Sequence, residues 1–144
     1  GVGEGASGKD WQVTAAVAEH CQPYLDSLAY RVDTPEGSVI FTGDTQPCDT
    51  VRDLARDAGM MQCMCWDEQS VMETANEAKG QCGTTGAAQL AQESGVKKLV
   101  LIHIGPSLAR DTHFERHVGK MIHMYDGEII FSEELMRIEM WASC

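Results

Sequence analysis

The sequence contains few basic residues. Eleven Lys and Arg stand against 22 Asp and Glu, and the formal net charge is −11. Proteins that grip a nucleic-acid backbone need clustered Lys and Arg side chains to neutralise its phosphates. The adjacent basic pair Lys97 and Lys98 precedes a predicted strand and is expected to lie in a solvated loop. We therefore expect nucleic acid to be an unlikely partner.

The sequence also lacks a long apolar run and a secretory signal sequence. No stretch approaches the roughly 20 apolar residues that a membrane-spanning helix needs, so we expect no membrane association. A disulfide framework is not indicated either, because the six cysteines are irregularly spaced. We interpret them as reduced thiols of a cytoplasmic protein; they are Cys21, Cys48, Cys63, Cys65, Cys82 and Cys144.

What is present suits a globular domain. The chain has 144 residues, of which 43% are hydrophobic, enough for one domain with a buried core. Residues 1–10 are rich in glycine and polar side chains, which predicts a flexible N-terminal tail before a domain over residues 11–144. Because the sequence begins Gly-Val-Gly, without Met, we also expect it to be part of something longer.

The apolar patterns predict an α/β fold with a mixed sheet. A hairpin comes first and is followed by alternating helices and strands, the order typical of that class. Strands are predicted over residues 11–19, 28–32, 38–43, 60–66, 99–102, 128–131 and 136–140. Helices are predicted over residues 49–58, about 70–78 and 84–94, with a loop or helix from 105 to about 124.

Three of the predicted strands run directly into a side chain that can bind a metal ion. Residues 11–19 lead to His20, residues 38–43 lead to Asp44, and residues 99–102 lead to His103. The carboxyl ends of parallel strands meet at one edge of a sheet, so we expect these side chains to converge. Imidazole and carboxylate suit Zn²⁺, Mn²⁺ or Fe, and one carboxylate can bridge two ions.

Two segments that carry these residues resemble the second half of the metallo-β-lactamase fold, in its ribonuclease Z and arylsulfatase-like branch. One runs from Glu19-His20 through Leu28-Ala29-Tyr30-Arg31-Val32 to Val39-Ile40-Phe41-Thr42-Gly43-Asp44-Thr45; the other is Gly95-Val96-Lys97-Lys98-Leu99-Val100-Leu101-Ile102-His103. The resemblance covers roughly residues 11–140. It implies half of an αββα sandwich with helices on one face of the sheet. It also implies two metal ions, with His20 on one, His103 on the other, and Asp44 as the catalytic residue that bridges both.

The sequence departs from that family in three places. The main metal motif, His-x-His-x-Asp-His, belongs to the N-terminal half of the fold and does not occur here, so each ion would keep only two ligands. We expect this chain alone to bind metal weakly or not at all and to catalyse little, since catalytic zinc has at least three protein ligands. The family's His-Glu-Ala-Thr stretch is replaced by residues 63–66, and its following His by Gln81, which argues against tRNA processing.

These observations lead to one preferred hypothesis and two alternatives. The preferred one is a metal-dependent hydrolase of a small-molecule ester or phosphoester, whose missing ligands come from an N-terminal half or from a separate chain. The first alternative is a non-catalytic half-fold that forms a homodimer and serves as a structural or interaction module, since a half-fold leaves one sheet face uncovered. The second is a thiol-dependent protein that uses Cys63, Cys65 or Cys82.

Other candidate side chains have simpler explanations. His113 and His117 stand at i and i+4 on a possible helix, where an exposed helix face of mixed charge is the preferred interpretation. Asp67 and Glu68 could supply a base, but a solvated loop is preferred. Ser107 could contact substrate, although a helix N-cap accounts for it as well.

Overall fold

The structure, a computed structural model, describes residues 2–110 and 114–140. Seven strands in this part of the chain form one mixed sheet whose strand order equals the order along the chain. The strands are β1 (Val2–Ser7), β2 (Gln12–Ala18), β3 (Ser27–Thr34), β4 (Gly37–Phe41), β5 (Met60–Met64), β6 (Lys98–Ile102) and β7 (Glu128–Phe131). The helices are α1 (Asp49–Leu54), α2 (Gln69–Ala75), α3 (Thr84–Ser94), α4 (Pro106–Arg110) and α5 (Phe114–Ile122).

The sheet has an antiparallel part and a parallel part. Strands β1 to β4 pair antiparallel, and strands β4 to β7 pair parallel. The parallel connections carry the helices, as parallel pairing requires a crossover. Strands β2, β4, β5, β6 and β7 therefore all point to the same edge of the sheet.

The helices form a layer on one face of the sheet. Helix α1 packs on β2 and β3, helix α3 packs on β5 and β6, and α3 also contacts α1, α2 and α5. The alternating side chains that face this layer are buried, for example Ala16, Ala29, Ile40 and Leu99. This arrangement confirms the predicted α/β class, with a mixed sheet and helices on one face.

The first residues differ from the expected flexible tail. Val2–Ser7 form β1, which pairs antiparallel with β2 and contains a register shift between Glu4 and Ala6. The prediction was wrong here because a glycine-rich strand shows no apolar alternation. Its backbone hydrogen bonds with β2 hold it in place.

Two further elements differ from the sequence prediction. Residues 136–140 form no strand; the carbonyl of Glu139 instead accepts a hydrogen bond from Lys98 Nζ at 2.5 Å. Lys98 itself lies within β6, is 8% exposed and pairs with Glu128 at 3.2 Å, so it is not in a solvated loop.

Helix α1 is shorter than predicted. It ends at Leu54, and the left-handed φ of 54° at Asp57 keeps it from continuing to residue 58. The Arg31 guanidinium accounts for the carbonyls left at this end, donating to Leu54 O at 3.1 Å and Arg56 O at 2.9 Å. Arg31 is held in turn by Asp33.

Candidate metal centre

The three predicted metal ligands lie at one edge of the sheet. His20 follows β2, Asp44 follows β4 and His103 follows β6 directly. These strands are parallel to one another, since β3 lies antiparallel between β2 and β4 and the pairing is parallel from β4 onward. Their carboxyl ends therefore bring the loops with His20, Asp44 and His103 together, as the sequence predicted.

The carboxylate of Asp44 lies between the two imidazoles. Its Oδ1 is 2.8 Å from His103 Nδ1, within hydrogen-bond distance. Its Oδ2 is 3.9 Å from His20 Nε2, beyond hydrogen-bond distance. The three side chains are 23% (His20), 39% (Asp44) and 49% (His103) exposed, so a ligand can reach them from solvent.

The turn that presents Asp44 depends on its neighbours. Gly43 has a φ of 59°, which an L residue with a side chain rarely adopts, and it turns the chain out of β4. Thr42 and Thr45 on either side are fully buried. The Thr45 amide donates to Met64 Sδ at 3.3 Å, and its Oγ1 accepts from the Glu19 amide at 3.0 Å. Asp44 is thus fixed between two anchored residues while its carboxylate points outward.

His103 is held in an unusual backbone conformation. Its φ is 49°, in the left-handed region, where a residue other than glycine costs about 1–2 kcal/mol. Its ring packs edge-on against Trp66, with centroids 5.6 Å apart at 67°. The Gly105 amide donates to Trp66 O at 2.9 Å, and a Cβ at Gly105 would lie only 2.2 Å from that oxygen. Backbone strain of the kind seen at His103 recurs at functional sites.

His20 contacts a loop that is distant in sequence. Its Nδ1 lies 2.7 Å from the carbonyl oxygen of Gly80, 60 residues further along. Sequence reasoning missed Gly80 as a neighbour of the site, and no local pattern marks it. Beside His20 lies an open cleft of about 420 Å³, lined by Val17, Glu19, His20, Gln22, Gln46 and Lys79.

The donor chemistry of these residues fits part of a metal centre. Two imidazoles and a carboxylate suit Zn²⁺, and a histidine whose other ring nitrogen binds a carbonyl is the usual form of a metal ligand. The set is incomplete as it stands. In the part of the chain that the structure describes, no group of three or more His, Cys, Asp or Glu side chains is arranged to hold an ion.

The structure gives Glu68 and Ser107 positions in other elements. Glu68 is 6% exposed and caps α2, so it does not lie in a solvated loop. Ser107 lies within the first turn of α4 and is exposed. His113 lies outside the described residues, so its pairing with His117 stays a prediction.

Two of the candidate cysteines, Cys65 and Cys82, lie in environments that oppose thiol reactivity. The five described ones are free: Cys21, Cys48, Cys63, Cys65 and Cys82. Burial raises the pKa of the Cys65 thiol, and a hydrogen bond with Cys63 together with burial raises the pKa of Cys82. A nucleophilic cysteine needs a lowered pKa, so these environments argue against the thiol-dependent alternative.

With this geometry in place, comparison with known proteins identifies the class. A family model described as "Beta-lactamase superfamily domain" matches residues 3–104. The chain belongs to this superfamily, as the resemblance predicted. The metallo-beta-lactamase fold protein YhfI from Bacillus subtilis has the same fold, with a TM-score of 0.72 at 17% identity over 91% of this chain and 50% of that one.

Within the superfamily the chain is ribonuclease Z-like. It is 31% identical to a ribonuclease Z of Methanosarcina acetivorans over 114 residues, which are 74% of this chain and 33% of the relative. Human tRNase Z, short form, matches with a TM-score of 0.66 at 18% identity, over 95% of this chain and 45% of that one. The chain spans about a third of the length of the ribonuclease Z relatives from Methanosarcina species.

These relatives correct the expected substrate. We expected a small-molecule ester or phosphoester and considered nucleic acid unlikely, but the relatives are ribonucleases by name, and the human neighbour is a tRNase. The expectation rested on the net charge and on two motif departures, at residues 63–66 and at Gln81. A charge of −11 describes the whole chain and does not report on local contacts. The homodimeric, non-catalytic alternative is not favoured either.

No helix among residues 2–110 and 114–140 has the length and apolar character to span a membrane.

Proposed function

We propose that this chain supplies one half of the metal centre of a ribonuclease Z-like hydrolase that cleaves phosphodiester bonds in RNA. The observation that carries the proposal is the position of the Asp44 carboxylate, with one oxygen toward His103 and the other toward His20. A carboxylate between two imidazoles is suited to bridge two ions, each bound also by one histidine. The RNA substrate is proposed from the names of the relatives.

The residues have distinct roles in this proposal. His20 would hold one ion, His103 the other, and Asp44 would contact both. Zinc is the preferred metal because imidazole and carboxylate are its usual ligands, and Mn²⁺ or Fe would also accept this set. When bound, the ions would lower the pKa of a water nucleophile and stabilise negative charge on the attacked phosphate.

The remaining ligands would come from residues outside this chain. Two ligands per ion are fewer than catalytic zinc requires. The matched solved structures are about twice as long as the part this chain covers, so they contain room for a second half. The sheet face opposite the helices supports this, because Val17, Leu28, Tyr30 and Phe41 on it are 39–42% exposed. We propose that a second half covers this face.

The proposal can be tested with a chimera. The matched stretch of the Methanosarcina acetivorans ribonuclease Z would be replaced by this chain, and RNA phosphodiester hydrolysis would be measured with added Zn²⁺. We expect activity in the chimera and its loss in Asp44→Asn. The hydrolysis rate should fall by more than about 100-fold in this variant. That is the upper end of the losses expected when a residue that only orients a metal ligand is changed.

Asp53→Asn is the matched control, since Asp53 is an exposed aspartate on α1 that pairs with Arg56. It should retain the activity of the parent chimera. A chimera that folds and binds Zn²⁺ but hydrolyses no RNA would refute the proposed activity. Activity that survives Asp44→Asn would refute the proposed site.

A further inference from the structure

A chain of hydrogen bonds connects His20 to a glutamine that belongs to no candidate catalytic group. His20 Nδ1 donates to Gly80 O at 2.7 Å, and the Gly80 amide donates to Gln46 Oε1 at 2.9 Å. Gln46 Nε2 in turn donates to Glu19 Oε2 at 2.8 Å. Both ends of the Gln46 amide group are therefore used, one as an acceptor and one as a donor.

We propose that Gln46 is a positioning residue that sets the tautomer of His20. A carbonyl oxygen can only accept, so the contact with Gly80 places the proton of the neutral imidazole on Nδ1. Nε2 is then left with its lone pair, on the side of the ring that faces Asp44. That is the form in which an imidazole binds a metal ion.

Gly80 is suited to this contact because no larger residue fits its place. Its φ is 79°, and a Cβ there would lie 2.2 Å from the backbone oxygen of His20. The absence of a side chain lets the two backbones approach until the carbonyl reaches the ring. Because Gly80 has no side chain of its own to pack, its position depends on contacts from other residues. The hydrogen bond from the Gly80 amide to Gln46 Oε1 is such a contact.

Gln46 is itself anchored to the loop that carries His20. Its backbone amide donates to Glu19 O at 2.8 Å, and the Glu19 amide donates to Thr45 Oγ1 at 3.0 Å. These bonds tie the loop after β2 to the loop after β4, across the intervening strand β3. Gln46 is thus hydrogen-bonded both to Glu19, next to His20, and to Gly80.

The inference rests on the proposed function, because the tautomer matters to metal binding only if His20 is a ligand. The tautomer can nevertheless be measured without any metal. Long-range ¹H–¹⁵N correlation spectra of the 144-residue chain, labelled at its five histidines, distinguish the Nδ1–H from the Nε2–H form at a pH where the rings are neutral. The His20 signals would be assigned as those missing in His20→Gln.

We expect His20 to be in the Nδ1–H form in the wild type and to become a mixture of both forms in Gln46→Ala. Gln89→Ala is the matched control, since the Gln89 amide also donates to a glutamate, Glu93, at 2.8 Å, but on the exposed surface of α3. It should leave the His20 signals unchanged. A merely structural role for Gln46 would lower stability in urea and leave the tautomer as it is.

An Nε2–H form in the wild type, or an unchanged tautomer in Gln46→Ala, would overturn the inference. If Gln46→Ala does not fold by circular dichroism, Glu19→Ala replaces it, because it frees the Gln46 amide from its acceptor. A smaller change in the same direction is then expected, and no change counts against the inference.

A zinc titration separates this inference from the proposed function. If the chain binds Zn²⁺, the dissociation constant should rise about tenfold in Gln46→Ala, as is typical when a partner of a ligating histidine is lost. It should not change in Gln89→Ala. If the wild type keeps the Nδ1–H form but the chimera described above binds no Zn²⁺, the metal-dependent function fails and the positioning of His20 by Gln46 stands.

Discussion

Glu68 is an acidic residue in the protein interior, where ionisable side chains are rare. It is 6% exposed, and its carboxylate accepts from the amides of Ser70 at 3.2 Å and Val71 at 3.3 Å at the start of α2. The Ser70 hydroxyl also donates to it, and Lys120 Nζ lies 2.7 Å away. Glu68 therefore joins α2 to α5 as well as capping α2.

The pKa of Glu68 reflects this balance. Burial alone would raise it, but the hydrogen bonds from Lys120 and Ser70 outweigh burial, and the pKa lies below its usual value. A carboxyl group whose pKa is lowered by folding stabilises the folded state above its unfolded pKa, about 4.3. That contribution is lost as the pH falls through the lower, folded value.

We predict that Glu68→Gln lowers the free energy of unfolding by about 1–2 kcal/mol at pH 7, from a weakened cap and a lost charged hydrogen bond. The difference between wild type and variant should shrink as the pH falls from about 5 toward 3, in urea unfolding curves. Glu77→Gln, at an exposed residue after α2, should show neither effect. A difference that stays constant with pH would contradict the lowered pKa.

The ends of the helices show where single glycines matter. Gly95 ends α3 with a φ of 70°, and a Cβ there would lie 2.9 Å from Asp57 Oδ1. Gly119, in contrast, lies within α5, and a Cβ there would meet no atom within 4 Å. The same substitution should therefore have opposite signs at these two sites.

We predict that Gly95→Ala destabilises the protein by about 1–2 kcal/mol, because alanine avoids the left-handed conformation. Gly119→Ala should stabilise it by about 0.5–1 kcal/mol, because alanine restricts the unfolded chain and favours the helix. Both values can be read from urea unfolding midpoints at unchanged slope. Equal signs for the two variants would contradict the conformations assigned to these glycines.

Local patterns predicted the elements that bury apolar side chains. Helix α3 and strands β4 to β7 fall close to their predicted places because apolar spacing and a stop at Gly95 encode them. The convergence of His20, Asp44 and His103 was predictable for a related reason, since parallel strand ends share an edge. Their roles as metal ligands stay predictions.

Long-range contacts explain what the sequence could not predict. Lys98 lies within reach of Glu128 and Glu139 only after folding, and Gly80 meets His20 across 60 residues. Strand β1 depends on pairing with β2, and Glu68 on a partner in α5. None of these features has a signature within its own segment.

The two faces of the sheet differ sharply across the whole molecule. Ile40 faces the helices and is fully buried, whereas the adjacent Phe41 points to the other face and is 39% exposed. Leu28 is 42% exposed on that second face. Replacing side chains on this second face should therefore change the free energy of unfolding of the isolated chain only slightly.

We predict that the double variant Leu28→Thr/Phe41→Thr changes the free energy of unfolding of this chain by no more than about 0.5 kcal/mol per site. It should also reduce binding of the dye ANS, which reports exposed apolar surface. Ile40→Ala, the control on the covered face, should cost about 2–5 kcal/mol. A double variant as unstable as Ile40→Ala would mean that the second face is already covered in this chain.

The order of the strands also bears on how the chain can assemble. Each strand in the sheet lies beside the one that precedes it in the chain, from β1 to β7. Each new strand can therefore pair with the strand that precedes it in the chain. The hairpin of β3 and β4 can form first, and the later strands can then add to it one at a time. The parallel partners are nevertheless far apart along the chain, since Met60 pairs with Lys98 and Lys98 pairs with Glu128, and parallel pairing over such separations is slow. A polypeptide of this design can build its sheet progressively as it leaves the ribosome, with the rim that carries His103 completed late.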